Sequence, residues 1–107
     1  IVSRPRDGLA HAYYRLAFRL DPAHLAPGWD RTRAMALLNE AGVPCFVGAC
    51  PELYREGLYR NRDHVTCPAA RALGEVSLTL LVHPTLDDAF LSHCERVIAE
   101  VFGQASR

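Results

Sequence analysis

The chain has 107 residues, 50% of them apolar, with twelve Lys plus Arg against twelve Asp plus Glu and a formal net charge of zero. That is the make-up of one small globular domain, able to bury somewhat over ~60% of its extended surface and form a core without disulfides or metal; it excludes a disordered tail. No stretch interleaves arginines with aromatics, which argues against a phosphate-tracking nucleic-acid surface, and no apolar run approaches the roughly 20 residues of a membrane span.

All twelve basic residues are Arg, and without a lysine any Schiff-base amine must come from elsewhere. The opening residues do not read as a signal peptide. The chain starts Ile1-Val2-Ser3 without Met, and residues 1–8 are polar and punctuated by Pro5 and Gly8. The expectation is a linker at 1–8, a domain at 9–107, and a piece of a longer protein.

From Ala12 to Leu20 the even positions are Ala12, Tyr14, Leu16, Phe18 and Leu20, the period-two alternation of a half-buried strand. Asp21-Pro22 and Pro27-Gly28 bracket a loop. Asp30 is placed to cap a helix running to Ala41, with Gly42 as its left-handed stop and Ala34, Leu37, Leu38 and Ala41 as its buried stripe. Val43 to Val47 reads as a short strand, and Cys50 to His64 as an irregular excursion, the stretch most suited to function. Pro68 and Gly74 bound a short helix, and Val76 to Val82 is a continuous apolar run, a strand covered on at least one face.

Thr85 is placed to cap the last helix, with Asp87 and Asp88 in its first turn and Gly103 at its end. Leu86, Phe90, Leu91, Cys94, Val97, Ile98, Val101 and Phe102 form its apolar stripe. This order predicts an α/β (α+β) domain, with a small antiparallel or mixed sheet of about three strands and helices packed on one face.

Cys45, Cys50, His64 and Cys67 are a ligand set zinc accepts, but Cys45 lies in an apolar strand and free cysteine is more often a small buried hydrophobe, as Cys94 on its helical stripe is expected to be. Asp87-Asp88 is explained by capping and the helix dipole rather than by acid–base chemistry. His11 and His83 fall at strand ends, where an imidazole can meet a ligand or simply meet water, and His24, His64 and His93 read as surface residues. Arg55, Arg60 and Arg62 suit a phosphate or carboxylate, and equally a solvated loop face.

The segments His11-Ala12-Tyr13-Tyr14-Arg15-Leu16, Trp29-Asp30-Arg31-Thr32-Arg33, Glu40-Ala41-Gly42-Val43-Pro44-Cys45-Phe46, Cys50-Pro51-Glu52-Leu53-Tyr54-Arg55-Glu56 and Leu80-Leu81-Val82-His83-Pro84-Thr85-Leu86 together resemble the C-terminal small domain of the DegT/DnrJ/EryC1/StrS aminotransferases. The resemblance runs from about Leu9 to Phe102. It implies a fold-type I parent that uses pyridoxal phosphate to move an amino group onto a nucleotide-linked keto sugar, working in the cytoplasm as a homodimer. Its Schiff-base lysine would lie in a large N-terminal domain joined in cis, so that this chain carries no catalytic residue, holds the cofactor through no covalent bond, and covers the cleft.

Tyr54 and Arg55, in a stretch that follows a strand end, lacks a periodic core pattern and offers a phenol and a guanidinium, are the first substrate-binding candidates, then Tyr14 and His83. Many relatives place a His where Tyr14 stands. The family's His-Tyr/Phe-x-Pro loop is replaced here by Gly48-Ala49-Cys50-Pro51-Glu52, a departure that bears on which sugar is taken. A small-molecule-binding regulatory module without catalysis and a zinc-stabilised interaction domain are the readings from other classes.

Overall fold

Leu78 and Leu80 point to one side of the last strand and Thr79 and Leu81 to the other, and that alternation organises the sheet. The computed structural model describes Val2, residues 5–48 and residues 50–107. Part of the expected 1–8 linker and the Ala49 position of the loop departure lie outside the described residues. Strand β1 (Arg15–Arg19), β2 (Cys45–Val47) and β3 (Ser77–Leu81) form an antiparallel sheet in the order β1-β3-β2, so the last strand is central. The register sets Leu16 and Cys45 beside Leu80, and Phe18 and Val47 beside Leu78, in two rows on the same face.

Helices α1 (Arg31–Glu40) and α3 (Asp88–Ala105) cover that face. The core is Leu20, Ala34, Leu38, Val43, Cys45, Leu78, Val97 and Val101, with Phe18, Met35, Leu37, Leu80, Cys94, Ile98 and Phe102 packed around it. Phe18 and Phe102 meet edge to face at 5.8 Å. The expected α+β architecture is therefore the observed one: three antiparallel strands with two helices on one face.

The element ends show which local signals decide. Asp30 caps α1, accepting from the Arg33 amide at 2.8 Å, and Gly42 beyond the helix takes φ +79°. His93 Nε2 bonds the Ala41 carbonyl at 2.8 Å, tying the end of α1 to α3. His93 is thus half-buried and engaged rather than a plain surface residue, while Ala41 is exposed and not part of the buried stripe.

The first strand starts at Arg15, not Ala12, because Tyr13 adopts φ +46°, which breaks an extended chain. Asp87 rather than Thr85 caps α3, accepting from the Phe90 amide at 2.8 Å, while Thr85 Oγ1 pairs with His83 Nδ1 at 2.7 Å. Helix α3 runs through Gly103 to Ala105, whose buried methyl extends the stripe.

Helix α2 (Pro68–Val76) likewise continues through Gly74, and β3 follows without a loop. Gly74 is there for a different reason: a Cβ on it would lie 2.3 Å from Cγ of Pro51. Helix α2 thus makes its close contact with the loop after β2. The Arg31 guanidinium bonds the Gly74 carbonyl and joins α2 to α1.

Candidate functional site

The segment after β2 is held at three points. Pro51 is seated against Gly74, Cys50 Sγ lies 3.4 Å from the Glu52 carbonyl, and Leu53–Arg55 form a single 3-10 turn. Between them stands Glu52, a carboxylate only 2% exposed. A charge removed from water to that extent is tolerated only with partners, and the Glu52 carboxylate has three side chains around it.

The Tyr54 hydroxyl donates to Oε1, Arg55 Nη1 donates to Oε2 at 3.1 Å, and Arg71 donates from Nε to both oxygens at 3.0 Å, its Nη2 lying 2.9 Å from Oε1 in the ion pair. Tyr54 Oη in turn accepts from the Cys67 amide at 3.1 Å, satisfying a donor at the start of α2. Its ring stacks on the His64 imidazole at 4.2 Å and 8°. One buried acid thereby fixes the 3-10 turn, the loop carrying His64 and the first turns of α2.

The Arg71 guanidinium first, then the Tyr54 hydroxyl, hold the Glu52 carboxyl down at about 2, against the burial that opposes them, and the same contact raises Arg71. The sign of the pH dependence follows. The unfolded chain binds the proton more readily than the folded one between about 4.5 and about 2, so Glu52's stabilising contribution is complete above that window and is lost as pH falls through it. Denaturant midpoints of the wild type and Glu52→Gln are expected to differ by a constant amount above pH 5 and to converge toward pH 2; a gap independent of pH would refute this.

Two clefts meet at this hub. One, of about 780 Å³, is walled by Val47, Gly48, Pro51, Arg55, Arg71 and Ser77 among others, between the end of β2 and α2. The second, of about 640 Å³, is lined by Tyr54, Arg55, Arg60, His64, Thr66, Arg71 and Glu75.

Of the residues singled out in the sequence, Tyr54 and Arg55 come together here, Tyr54 half-buried with its hydroxyl engaged and Arg55 with its side chain 65% exposed. Tyr14 stands apart before β1, 87% exposed, with the Arg15 guanidinium 5.9 Å from its ring. His83 is exposed beyond the end of β3. Arg62 lies over the Tyr59 ring at 5.6 Å and does not line the second cleft; Arg71, from the neighbouring helix, does.

Glu52 and Arg71 are the members the sequence reading passed over. The one available signal was an acid directly after a proline in an otherwise aperiodic stretch, which suggests a fixed turn but names no partner.

The four cysteines are free thiols, Cys45 buried, Cys50 and Cys67 exposed, Cys94 packed against the core. Burial pushes the Cys45 thiol up to about 11, so it is a core group and a poor thiolate. Among the described residues no three His, Cys, Asp or Glu side chains are grouped to hold a metal ion, and no helix is long and apolar enough to cross a membrane.

No family model matches the sequence, and no curated protein matches it. Among solved structures, the chain is similar to the aminotransferase from Psychrobacter cryohalolentis with a TM-score of 0.82 and 37% identity, over 90% of this chain and 25% of that one. It is similar to a DegT DnrJ EryC1 StrS aminotransferase from Brucella abortus with a TM-score of 0.70 and 18% identity, over 99% of this chain and 26% of that one, a likeness of fold. The chain spans about a quarter of the length of these aminotransferases. In its sequence motifs and in its fold, this chain resembles one domain of the DegT/DnrJ/EryC1/StrS aminotransferases.

Proposed function

We propose that this chain is the C-terminal, substrate-covering domain of a pyridoxal-phosphate-dependent aminotransferase acting on a nucleotide-linked keto sugar. The observation that carries the reading is the 37% identity to an aminotransferase over 90% of the chain, joined to a fold that accounts for only a quarter of that enzyme. A surface argument supports it.

A compact free-standing domain of 11.9 kDa exposes roughly 6,000 Å² and has a radius of gyration of about 13 Å. This chain exposes 7978 Å² with a radius of 15.9 Å. The excess surface is what a domain built to lie against another polypeptide carries. Leu53, Leu58, Val65 and Leu73, in the stretch from the 3-10 turn into α2, are each more than 45% exposed, and Phe46 is 41% exposed on the sheet face that α1 and α3 leave bare. Within the Val76 to Val82 run itself only Val82 is exposed, so the excess comes from loops and the bare face more than from β3. The remainder of the parent enzyme, and a second subunit of a homodimer, are the proposed occupants.

The residues present do not fit pyridoxal phosphate as a covalent guest, because the chain has no lysine amine. This domain's part is to bind and exclude water at the cleft mouth, with Tyr54 and Arg55 toward the substrate and Tyr14 and His83 as further contacts. In the parent enzyme, Tyr54→Phe and Arg55→Ala are expected to raise the substrate KM several-fold with kcat little changed, since the lysine that would bond the cofactor is not in this chain. If both variants keep the parent's KM, the assignment of these residues fails.

The chain alone, mixed with pyridoxal phosphate and reduced with borohydride, is expected to carry no side-chain adduct. A reducible adduct on any residue other than the N-terminal amine of Ile1, which lies outside the described residues, would contradict this. Micromolar binding of a small metabolite by the monomeric chain would instead favour the regulatory module.

A further inference from the structure

Arg55 and Arg71 are both bonded to Glu52, yet their side chains remain 65% and 51% exposed, and both line the same cleft. A guanidinium has five N–H donors in a rigid fork. Glu52 takes one N–H from Arg55 and the Nε–H of Arg71, shared between its two oxygens, so each guanidinium keeps further donors that Glu52 does not use, and both residues line the cleft. Arg60 stands on the same wall with no hydrogen-bond or ion-pair partner among the described residues, and the Thr66 hydroxyl is likewise without one. One carboxylate, Glu75, faces the cleft against these three cations. Buried Glu52 lies behind them.

We propose that Glu52 is the positioning residue of an anion site: its buried carboxylate holds Arg55 and Arg71 side by side so that, with Arg60, they receive a phosphate-type dianion in the cleft between the 3-10 turn and α2. Two effects of Glu52 on such an anion oppose one another. Its negative charge repels the anion, but that charge is already paired with the Arg55 and Arg71 guanidiniums, whose two positive charges exceed it. Its hydrogen bonds hold two long side chains that would otherwise lose rotamer freedom on binding, and preorganised forks make the stronger charge-assisted bonds. Positioning therefore outweighs repulsion, and removing the charge weakens the site.

This deepens the assignment of Arg55 to substrate contact and rests on it for which side of the domain the substrate approaches. Pyrophosphate titrated into this chain, followed by calorimetry and by amide shifts of residues 54–71, tests it without any transaminase activity. The wild type is expected to bind saturably, with inorganic phosphate weaker and acetate weaker still, which separates a phosphate site from a carboxylate site. Arg60→Ala is expected to weaken pyrophosphate about tenfold at an unchanged melting temperature, since Arg60 holds nothing in the fold.

Glu52→Gln, although it adds a net positive charge, is expected to weaken it several-fold. Should Glu52→Gln fail to fold, Glu52→Asp, which keeps the charge and shortens the reach, takes its place with the same expectation. No saturable binding by the wild type, Arg60→Ala indistinguishable from it, acetate binding as tightly as phosphate, or either Glu52 variant binding as tightly or more tightly would each overturn the proposal. If pyrophosphate binds as described but Arg55→Ala leaves the parent's KM unaltered, the anion site stands and the substrate assignment alone falls.

Discussion

Replacing Leu38 by alanine is expected to destabilise the domain by about 2.5–5 kcal/mol, a loss of at least ~10 °C in Tm for a domain of this size. Leu38 is fully buried on α1, in the cluster that joins α1, α3 and the strand face carrying Leu78. The cost has two parts, the lost transfer of the apolar atoms from water and the cavity left behind. The second part is large here because the neighbours Val43, Cys45 and Leu78 are themselves 2% exposed or less, on elements fixed by the register of β2 on β3, and cannot collapse inward freely. A chain of 107 residues has only about 5–15 kcal/mol of stability to lose. Leu58→Ala, at a side chain 78% exposed, is the control and is expected to stay within about 0.5 kcal/mol. Paired urea melts measure both. A Leu38→Ala loss below about 1 kcal/mol would mean that the core is not packed as described.

Gly74→Ala is expected to destabilise, against the ordinary helix rule. In the body of a helix, alanine is favoured over glycine by about 1 kcal/mol. At Gly74 the added methyl would meet Pro51 Cγ at 2.3 Å and Cβ at 2.8 Å. A proline ring is not the far end of a flexible side chain, so the loop backbone must move by about an ångström to restore a contact near 3.5 Å. Pro51 is followed directly by Glu52, and the movement draws that carboxylate away from Arg71. Overpacking costs typically ~1–3 kcal/mol before the ion-pair geometry is counted, which exceeds the gain in propensity. The net effect is a loss of about 1–2 kcal/mol, with the pH dependence between 4.5 and 2 flattened because Glu52 no longer sits in its arginine pair. A melt showing Gly74→Ala equal to or more stable than the parent would refute the Pro51 contact as the reason for this glycine.

The long-range assembly explains why the sequence disclosed some of this domain and not the rest. Helix α1 was legible end to end because its determinants are local: Asp30 bonds three residues ahead, and Gly42 supplies a backbone angle its neighbours require. The apolar stripe of α3 and the alternation from Leu16 to Leu20 were legible because periodicity of 3.6 and 2 is written along the chain. The motifs at Cys45 and at Leu80 to Leu86 carried the family resemblance for the same reason.

Sequence alone thus determined the order and type of the main elements, the α+β class and the absence of a lysine. Only the tertiary structure decided that β3 lies between β1 and β2, that Gly74 is a packing site rather than a helix stop, and that Glu52 joins Arg55 and Arg71. Those facts depend on pairs such as Glu52 with Arg71, 19 positions apart, and Arg31 with Gly74, 43 apart, whose approach is set by loop closure and helix packing. Local pattern specifies what each segment becomes; which charges become neighbours is fixed when the segments pack, because a buried carboxylate is tolerated only where the fold brings cations to it.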